Sequence, residues 1–279
     1  MNIGFLFYLK FTFFRFSIIR YFMGQKSCVI FCRCGANIIS EDKFKKISEG
    51  LDNLDIHVYE LHDLCAFSIS GHDVLNRIGA EFDHKIILAC YSRAVINMLN
   101  QAGLEMGSMD VLNFRELTPE DIFSQLQTRY QIEEGKACYQ EQVTDLDVPA
   151  WFPVIDQSRC TLCGKCARFC LFGVYTFDKK SLKVINPLAC KNNCPACGRT
   201  CPASAIMFPR LEENTALAGA VPAEGKKTPQ GSGLYVMLND RNCERKQIFR
   251  QGVIQQAEEE RRAALEELKA AMINKKGNA

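Results

Sequence analysis

Cys160-Thr161-Leu162-Cys163-Gly164-Lys165-Cys166-Ala167-Arg168-Phe169-Cys170 is the stretch on which the reading of this chain turns. Three cysteines set two residues apart can wrap three corners of an iron–sulfur cubane from one loop. The fourth, three residues further on, points away and is free to serve another cluster. A second run, Cys190-Lys191-Asn192-Asn193-Cys194-Pro195-Ala196-Cys197-Gly198-Arg199-Thr200-Cys201-Pro202, repeats the pattern. A shift of 31 residues (163 to 194) lays Cys163, Cys166 and Cys170 onto Cys194, Cys197 and Cys201, and Phe177 onto Phe208. Zinc also favours paired cysteines, but zinc ribbons use two CxxC pairs rather than two runs of four, and no histidine lies nearby. The repeat therefore predicts two [4Fe–4S] clusters. Residues 175–185, between the runs, read as a hairpin turning at 178–181.

The rest of the composition is ordinary. A chain of 279 residues has room for about two domains. It is 47% apolar and 24% charged, as globular proteins are. A net charge of +2 gives no reason to expect nucleic acid as a partner. Fifteen cysteines is high, and the number is odd, so they cannot all pair within the chain. Their CxC and CxxC grouping suits metal better than a secreted disulfide scaffold, which places the chain in a reducing cytoplasm. Within 160–201, Lys165, Arg168, Lys179, Lys180, Lys183, Lys191 and Arg199 face the lone acid Asp178. These cations either steer an acidic partner or are simply solvated.

Residues 1–22 are rich in Phe, Ile and Leu, but Lys10, Arg15 and Arg20 interrupt them. A charge near the bilayer centre costs about 2.5–3.5 kcal/mol, which weighs against a spanning helix. No A-x-A-like cleavage site follows. Two readings stay open: translation starts at Met23, or the segment is a membrane-associating helix. Membrane association is expected only in the second case.

Upstream of the module, residues 27–130 alternate short β-rich runs (28–32, 56–60, 85–89 and 110–114) with helical patterns. Phe44, Ile47 and Leu51 share a face after Ser40. Val74, Leu75 and Ile78 follow Ser70, and Val95, Ile96 and Leu99 follow Ser92. Thr118-Pro119-Glu120-Asp121 opens a further helix. This alternation predicts a Rossmann-like α/β domain on a parallel sheet over 23–130. A linker is expected over 131–150, an α+β iron–sulfur module over 151–210 and a flexible linker over 211–233. A tail over 234–279 carries a charged C-terminal helix with a thin stripe of Leu265, Leu268 and Met272.

Over roughly 151–210 the chain resembles the bacterial two-[4Fe–4S] ferredoxin family. The resemblance implies one cluster on Cys160, Cys163, Cys166 and Cys201, and another on Cys190, Cys194, Cys197 and Cys170. Two departures touch the second cluster. Leu171 stands where the family usually has Pro, and three residues rather than two separate Cys190 from Cys194.

The first domain has cysteines of its own. Cys32-Arg33-Cys34-Gly35 closes the first predicted strand, Cys65 follows the second and Cys90 the third. Carboxyl ends of parallel strands converge on one sheet edge, where such folds place ligands. Four thiolates gathered there repel one another unless a metal neutralises them. Over roughly 27–116 this stretch is similar to the N-terminal domain of the heterodisulfide reductase A subunit family, through the CxCG-x-N-I run, Cys65 and the segment Leu88-Ala89-Cys90-Tyr91-Ser92. That resemblance implies that Cys32, Cys34, Cys65 and Cys90 hold a third [4Fe–4S] cluster. The family continues into a flavin domain opened by GxGxxG, which this chain lacks, so no flavin is expected. Two other readings stay open, core packing of small hydrophobes and a redox dithiol at Cys32/Cys34. His62 is a further candidate ligand or donor beside Cys65. Cys28, Cys138 and Cys243 read as structural.

The resulting expectation is an electron carrier rather than a stand-alone enzyme. It would relay low-potential electrons to a redox protein partner, a flavoprotein or a heterodisulfide-reductase-like complex, within an anaerobic system. A catalytic disulfide or thiol reductase acting at Cys32/Cys34/Cys65/Cys90, and an iron–sulfur sensor or scaffold, are the alternatives.

Overall fold

A computed structural model describes residues 26–146, 148–222 and 262. The apolar leader, Cys243, the later part of the linker expected over 211–233 and, apart from Arg262, the C-terminal helix lie outside the described residues. The chain divides into two compact units, Met1–Gly225 and Lys226–Ala279. All that follows concerns the first.

Five parallel strands form its sheet: β1 (Ser27–Arg33), β2 (His57–His62), β3 (His84–Ala89), β4 (Ser108–Asn113) and β5 (Cys138–Gln142), in the order β4-β3-β1-β2-β5. The central strands are buried on both faces, as helix-covered parallel strands are, and all six residues of β3 are out of water. Register matters most for the site. Cys32 pairs with Leu61, and Phe31 with Leu88, so β1, β2 and β3 end nearly level. Their three following loops therefore open on one edge, with the order reversing between β1 and β3.

The helices follow from caps and faces read in the sequence. In α1 (Glu41–Leu51), Ser40 accepts the Lys43 N–H, and Phe44, Ile47 and Leu51 are buried. Between β2 and β3 lie two helices, α2 (Leu64–Ser70) and α3 (His72–Glu81), where one was expected. Ser70 ends α2 and does not cap α3; α3 starts after Gly71, where an added Cβ would come within 2.3 Å of the Phe67 ring. The seven residues of α2 are mostly buried and leave no amphipathic stripe to read. Next come α4 (Ser92–Gln101) and α5 (Pro119–Thr128), the latter opened by a full capping box of Thr118 and Asp121.

Two expectations about linkers are corrected. The segment 131–150 contributes β5, paired in parallel with β2. Its sequence Cys138-Tyr-Gln-Glu-Gln142 lacks the apolar alternation of a strand because it lies at the sheet edge, held by backbone pairing and by polar side-chain contacts of Tyr139 and Glu141. Residues 211–222 are fastened to the sheet domain. Arg115 donates to the carbonyls of Leu211 (2.9 Å) and Glu212 (2.6 Å), Arg93 to those of Ala216 (3.2 Å) and Ala220 (3.3 Å), and Ala218 is fully buried.

The module adds β6 (Val154–Ile155) antiparallel to β9 (Ile206–Met207), and the hairpin β7 (Tyr175–Phe177) and β8 (Leu182–Val184). Asp178 Oδ1 accepts the N–H groups of Lys180 and Ser181, which closes the expected turn. Its short helices are α6 (Lys165–Phe169) and α7 (Ala196–Arg199). Module and sheet are not separated by a gap. Ala150, Phe152, Val154 and Met207 belong to the sheet domain's core, and Arg93 of α4 pairs with Asp156 at 2.7 Å with both side chains nearly buried. A smaller core of Trp151, Ile155, Leu182, Ile206 and Phe208 lies under the two cysteine runs. Among the described residues no helix is long and apolar enough to cross a membrane.

Candidate metal centres

In the first run, Leu162 (φ 53°) and Gly164 (φ 67°) are left-handed, which folds the chain round between Cys160 and Cys166. Gly164 is required there, because a Cβ would sit 2.3 Å from the Phe177 ring. Asn193 (φ 57°) makes the same turn before Cys194. The short helices α6 and α7 then carry Cys166 and Cys197 inward, to burial.

Around Cys166 stand Cys197, Cys201 and Cys163; around Cys190 stand Cys197, Cys170 and Cys194. Cys201 thus lies within electrostatic reach of Cys166, and Cys170 within reach of Cys190. Burial first, then these sulfurs, push the Cys166 and Cys190 thiols up to about 12, and burial pushes Cys197 up to about 11. Bare thiolates are costly at these positions, a cost that a bound metal would offset. Hydrogen-bond donors are aimed at the sulfurs: the Ala205 N–H at Cys201 Sγ (3.3 Å) and the Tyr175 hydroxyl at Cys197 Sγ (3.1 Å). Donors of this kind tune a bound cluster.

Cys32, Cys34, Cys65 and Cys90 also meet. Cys65 has Cys90, Cys32 and Cys34 around it, and Cys32 has Cys34 and Cys90. All but Cys34 are buried. Burial drives Cys32, Cys34 and Cys65 above the usual thiol range and Cys90 up to about 12. The Leu64 N–H donates to Cys32 Sγ at 3.4 Å, and the backbone N–H groups of Ala36 and Ile38 reach Cys34. Two charged residues that sequence reasoning missed complete the site. Asp63, left-handed at φ 69°, caps α2 through the Cys65 N–H and pairs with Arg210 at 2.9 Å, with both side chains about one-tenth exposed. Burial raises the Asp63 carboxyl, and Arg210 opposes the rise. Gly35 packs so closely on this pair that a Cβ would lie 2.9 Å from Asp63 Oδ2. Asp63 before a short helix was a readable cap signal; nothing in the sequence linked Arg210 to it.

The remaining candidates fall elsewhere. His62 does not turn to Cys65; it faces Glu141 and, at 3.6 Å, Glu60, which also takes a hydrogen bond from Tyr139 and pairs with Arg33. Cys28 is fully buried in the sheet, as a structural cysteine should be, whereas Cys138 is exposed on β5.

The donor sets consist of cysteine thiols, the ligands that iron–sulfur clusters take. A tetrahedral zinc site with Zn–S near 2.3 Å holds its sulfurs about 3.8 Å apart. Among the described residues, Glu60, His62 and Glu141 have ligand atoms within 4.8 Å of one another, and no three cysteine sulfurs do. A cubane offers each thiolate its own iron corner and so spreads the ligands wider.

Cys190 and Leu211 pack against both cores, and Cys34 packs against that of the sheet domain. A cavity of about 570 Å³ is lined by Ala36 after Cys34, by Asn192 and Asn193 of the lengthened second run, and by Trp151 and Arg210.

Comparison with known proteins agrees with the module. Residues 152–175, which include Cys160, Cys163, Cys166 and Cys170, match the model of a 4Fe-4S binding domain. An uncharacterized ferredoxin of Methanocaldococcus jannaschii is 43% identical over 61 residues, which are 22% of this chain and 42% of that protein. The match thus spans less than half of that relative. No solved structure matches the chain. The chain contains a ferredoxin-type domain for at least one [4Fe–4S] cluster, and an iron–sulfur electron-transfer role is supported.

Proposed function

We propose that this chain is a one-electron relay with three iron–sulfur centres. One is held by Cys160, Cys163, Cys166 and Cys201, one by Cys190, Cys194, Cys197 and Cys170, and one by Cys32, Cys34, Cys65 and Cys90. When bound, the clusters supply reversible single-electron storage. The residues around them do the rest. Backbone N–H groups at Cys32, Cys34 and Cys201 and the Tyr175 hydroxyl direct positive dipoles at sulfur, which favours the reduced state. Arg93 and Arg115 hold the module against the sheet domain, which keeps the distance between centres fixed. The observation that carries the reading is the convergence of Cys32, Cys34, Cys65 and Cys90, with Cys190 packed against both cores. The partner in this reading is a redox protein, a flavoprotein or a heterodisulfide-reductase-like complex.

Anaerobic purification with iron analysis and EPR of the reduced state tests this. About twelve irons per chain is the expected count. About eight removes the third centre, and zinc without iron sinks the relay itself.

The cavity favours a second reading. Its room, lined by Ala36 two residues after Cys34, suits a small disulfide, reduced to two thiols at the Cys32/Cys34/Cys65/Cys90 site. Disulfide-dependent oxidation of the viologen-reduced protein, lost in Cys34→Ser with the module's EPR signals intact, would establish it.

A further inference from the structure

The surface over Cys170 and Cys190 is apolar. Leu171 is 67% exposed, Ile185 54%, Leu188 46% and Phe172 43%. They belong to two adjoining loops: the Ile185 N–H donates to Val174 O (2.9 Å), and Asn186 Nδ2 donates to Gly173 O (3.2 Å). Leu171 and Phe172 directly follow Cys170, and Leu188 lies two residues before Cys190. The internal repeat sharpens the point, since Cys201 is followed by Pro202, whereas Cys170 is followed by the most exposed of these apolar side chains. Folding of the chain gains nothing from leaving the four side chains in water; a docked partner would.

Charge says what kind of partner. Lys179 and Lys180 at the hairpin tip, Lys183 two residues before Ile185, and Lys191 beside Cys190 are all exposed. Among the described residues none of the four has an ion pair. The one acid of the region, Asp178, has its Oδ1 taken by the turn. A second copy of the chain would bring the same cations face to face, which disfavours self-association here.

We propose that this face docks an acidic redox protein, one with carboxylates around an apolar centre, and that one electron crosses there. The electron lost by the reduced centre at Cys170/Cys190 is gained by the partner's acceptor. The inference rests on the relay reading for its redox step, while docking itself is measured separately.

The experiment titrates the reconstituted full chain with an acidic flavodoxin by calorimetry at low and high salt. Binding is expected at low salt and about tenfold weaker at high salt, as a charged rim requires. Leu171→Ser/Ile185→Ser should weaken it about tenfold through loss of the apolar centre. Lys179→Glu/Lys180→Glu should weaken it and flatten the salt dependence. Iron content, EPR signals and reduction by viologen should stay unchanged in both variants, which separates docking from folding. Absent or salt-insensitive binding, or binding unchanged in both variants, overturns the proposal. So does a wild-type dimer, or adhesion to phosphatidylserine vesicles, that Leu171→Ser/Ile185→Ser abolishes. Failure of viologen to reduce any cluster in the wild type would instead defeat the relay reading and leave the binding result standing.

Discussion

In the module, each run gathers its cysteines within a dozen residues by left-handed turns and helices of four or five residues. At the sheet edge, Cys32, Cys34, Cys65 and Cys90 are brought from the ends of three strands by parallel register. The first arrangement rests on two-stranded pieces over a small core. The second stands on a five-stranded sheet whose β1 and β3 are excluded from water. A site assembled locally has little besides its metal to hold it; a site assembled by a sheet exists before metal arrives.

The largest expected effect breaks the two regions apart. Stripping metal with a chelator should abolish amide-exchange protection across 160–201 and leave β1 and β3 protected. If both regions lose protection together, the sheet domain also depends on metal. Next, Cys65→Ala should remove about four irons and leave the module's EPR signals in place, and Cys197→Ala should do the converse. Loss of all iron in either variant would show that the centres do not assemble independently.

Arg210→Met targets the joint between the regions. It leaves Asp63 buried without its partner and should cost about 3–5 kcal/mol in denaturant unfolding at neutral pH. Burial raises the Asp63 carboxyl, so the folded state holds this proton more tightly than the unfolded chain. The variant's deficit should therefore shrink as pH falls toward the carboxylate range and grow as pH rises. A pH-independent deficit would place the cost in packing instead. Gly35→Ala presses a methyl group onto the same pair and should cost about 1–3 kcal/mol, with the module's signals unchanged. The smallest effect is Thr118→Ala, which loses the capping box of α5. Thermal unfolding should report about 1 kcal/mol with iron content unaltered.

Legibility differed between the regions for the same reason. The eight cysteines of the module, the hairpin at Asp178 and the caps at Ser40 and Thr118 are local patterns, so spacing alone revealed them. Helix α2, the edge strand β5 and the fastening of 211–222 escaped the sequence reading. Helix α2 is short and mostly buried, with no amphipathic stripe; backbone pairing ties β5 to β2, and Arg115 and Arg93 reach carbonyls about a hundred residues away. His62 looked like a companion of Cys65 by sequence proximity. The alternating faces of β2 put it beside Glu60, pointing at β5.

By itself the sequence determined the element pattern of the sheet domain and the two cysteine runs, since short-range periodicity and spacing encode both. It also raised the N-terminal four as candidates gathered at one sheet edge, on the rule that the carboxyl ends of parallel strands converge. Only the tertiary structure decided that Asp63 and Arg210 pair beside them, and that Cys190 packs against both cores. Those outcomes depend on strand order and register, which residues distant in sequence settle together through burial.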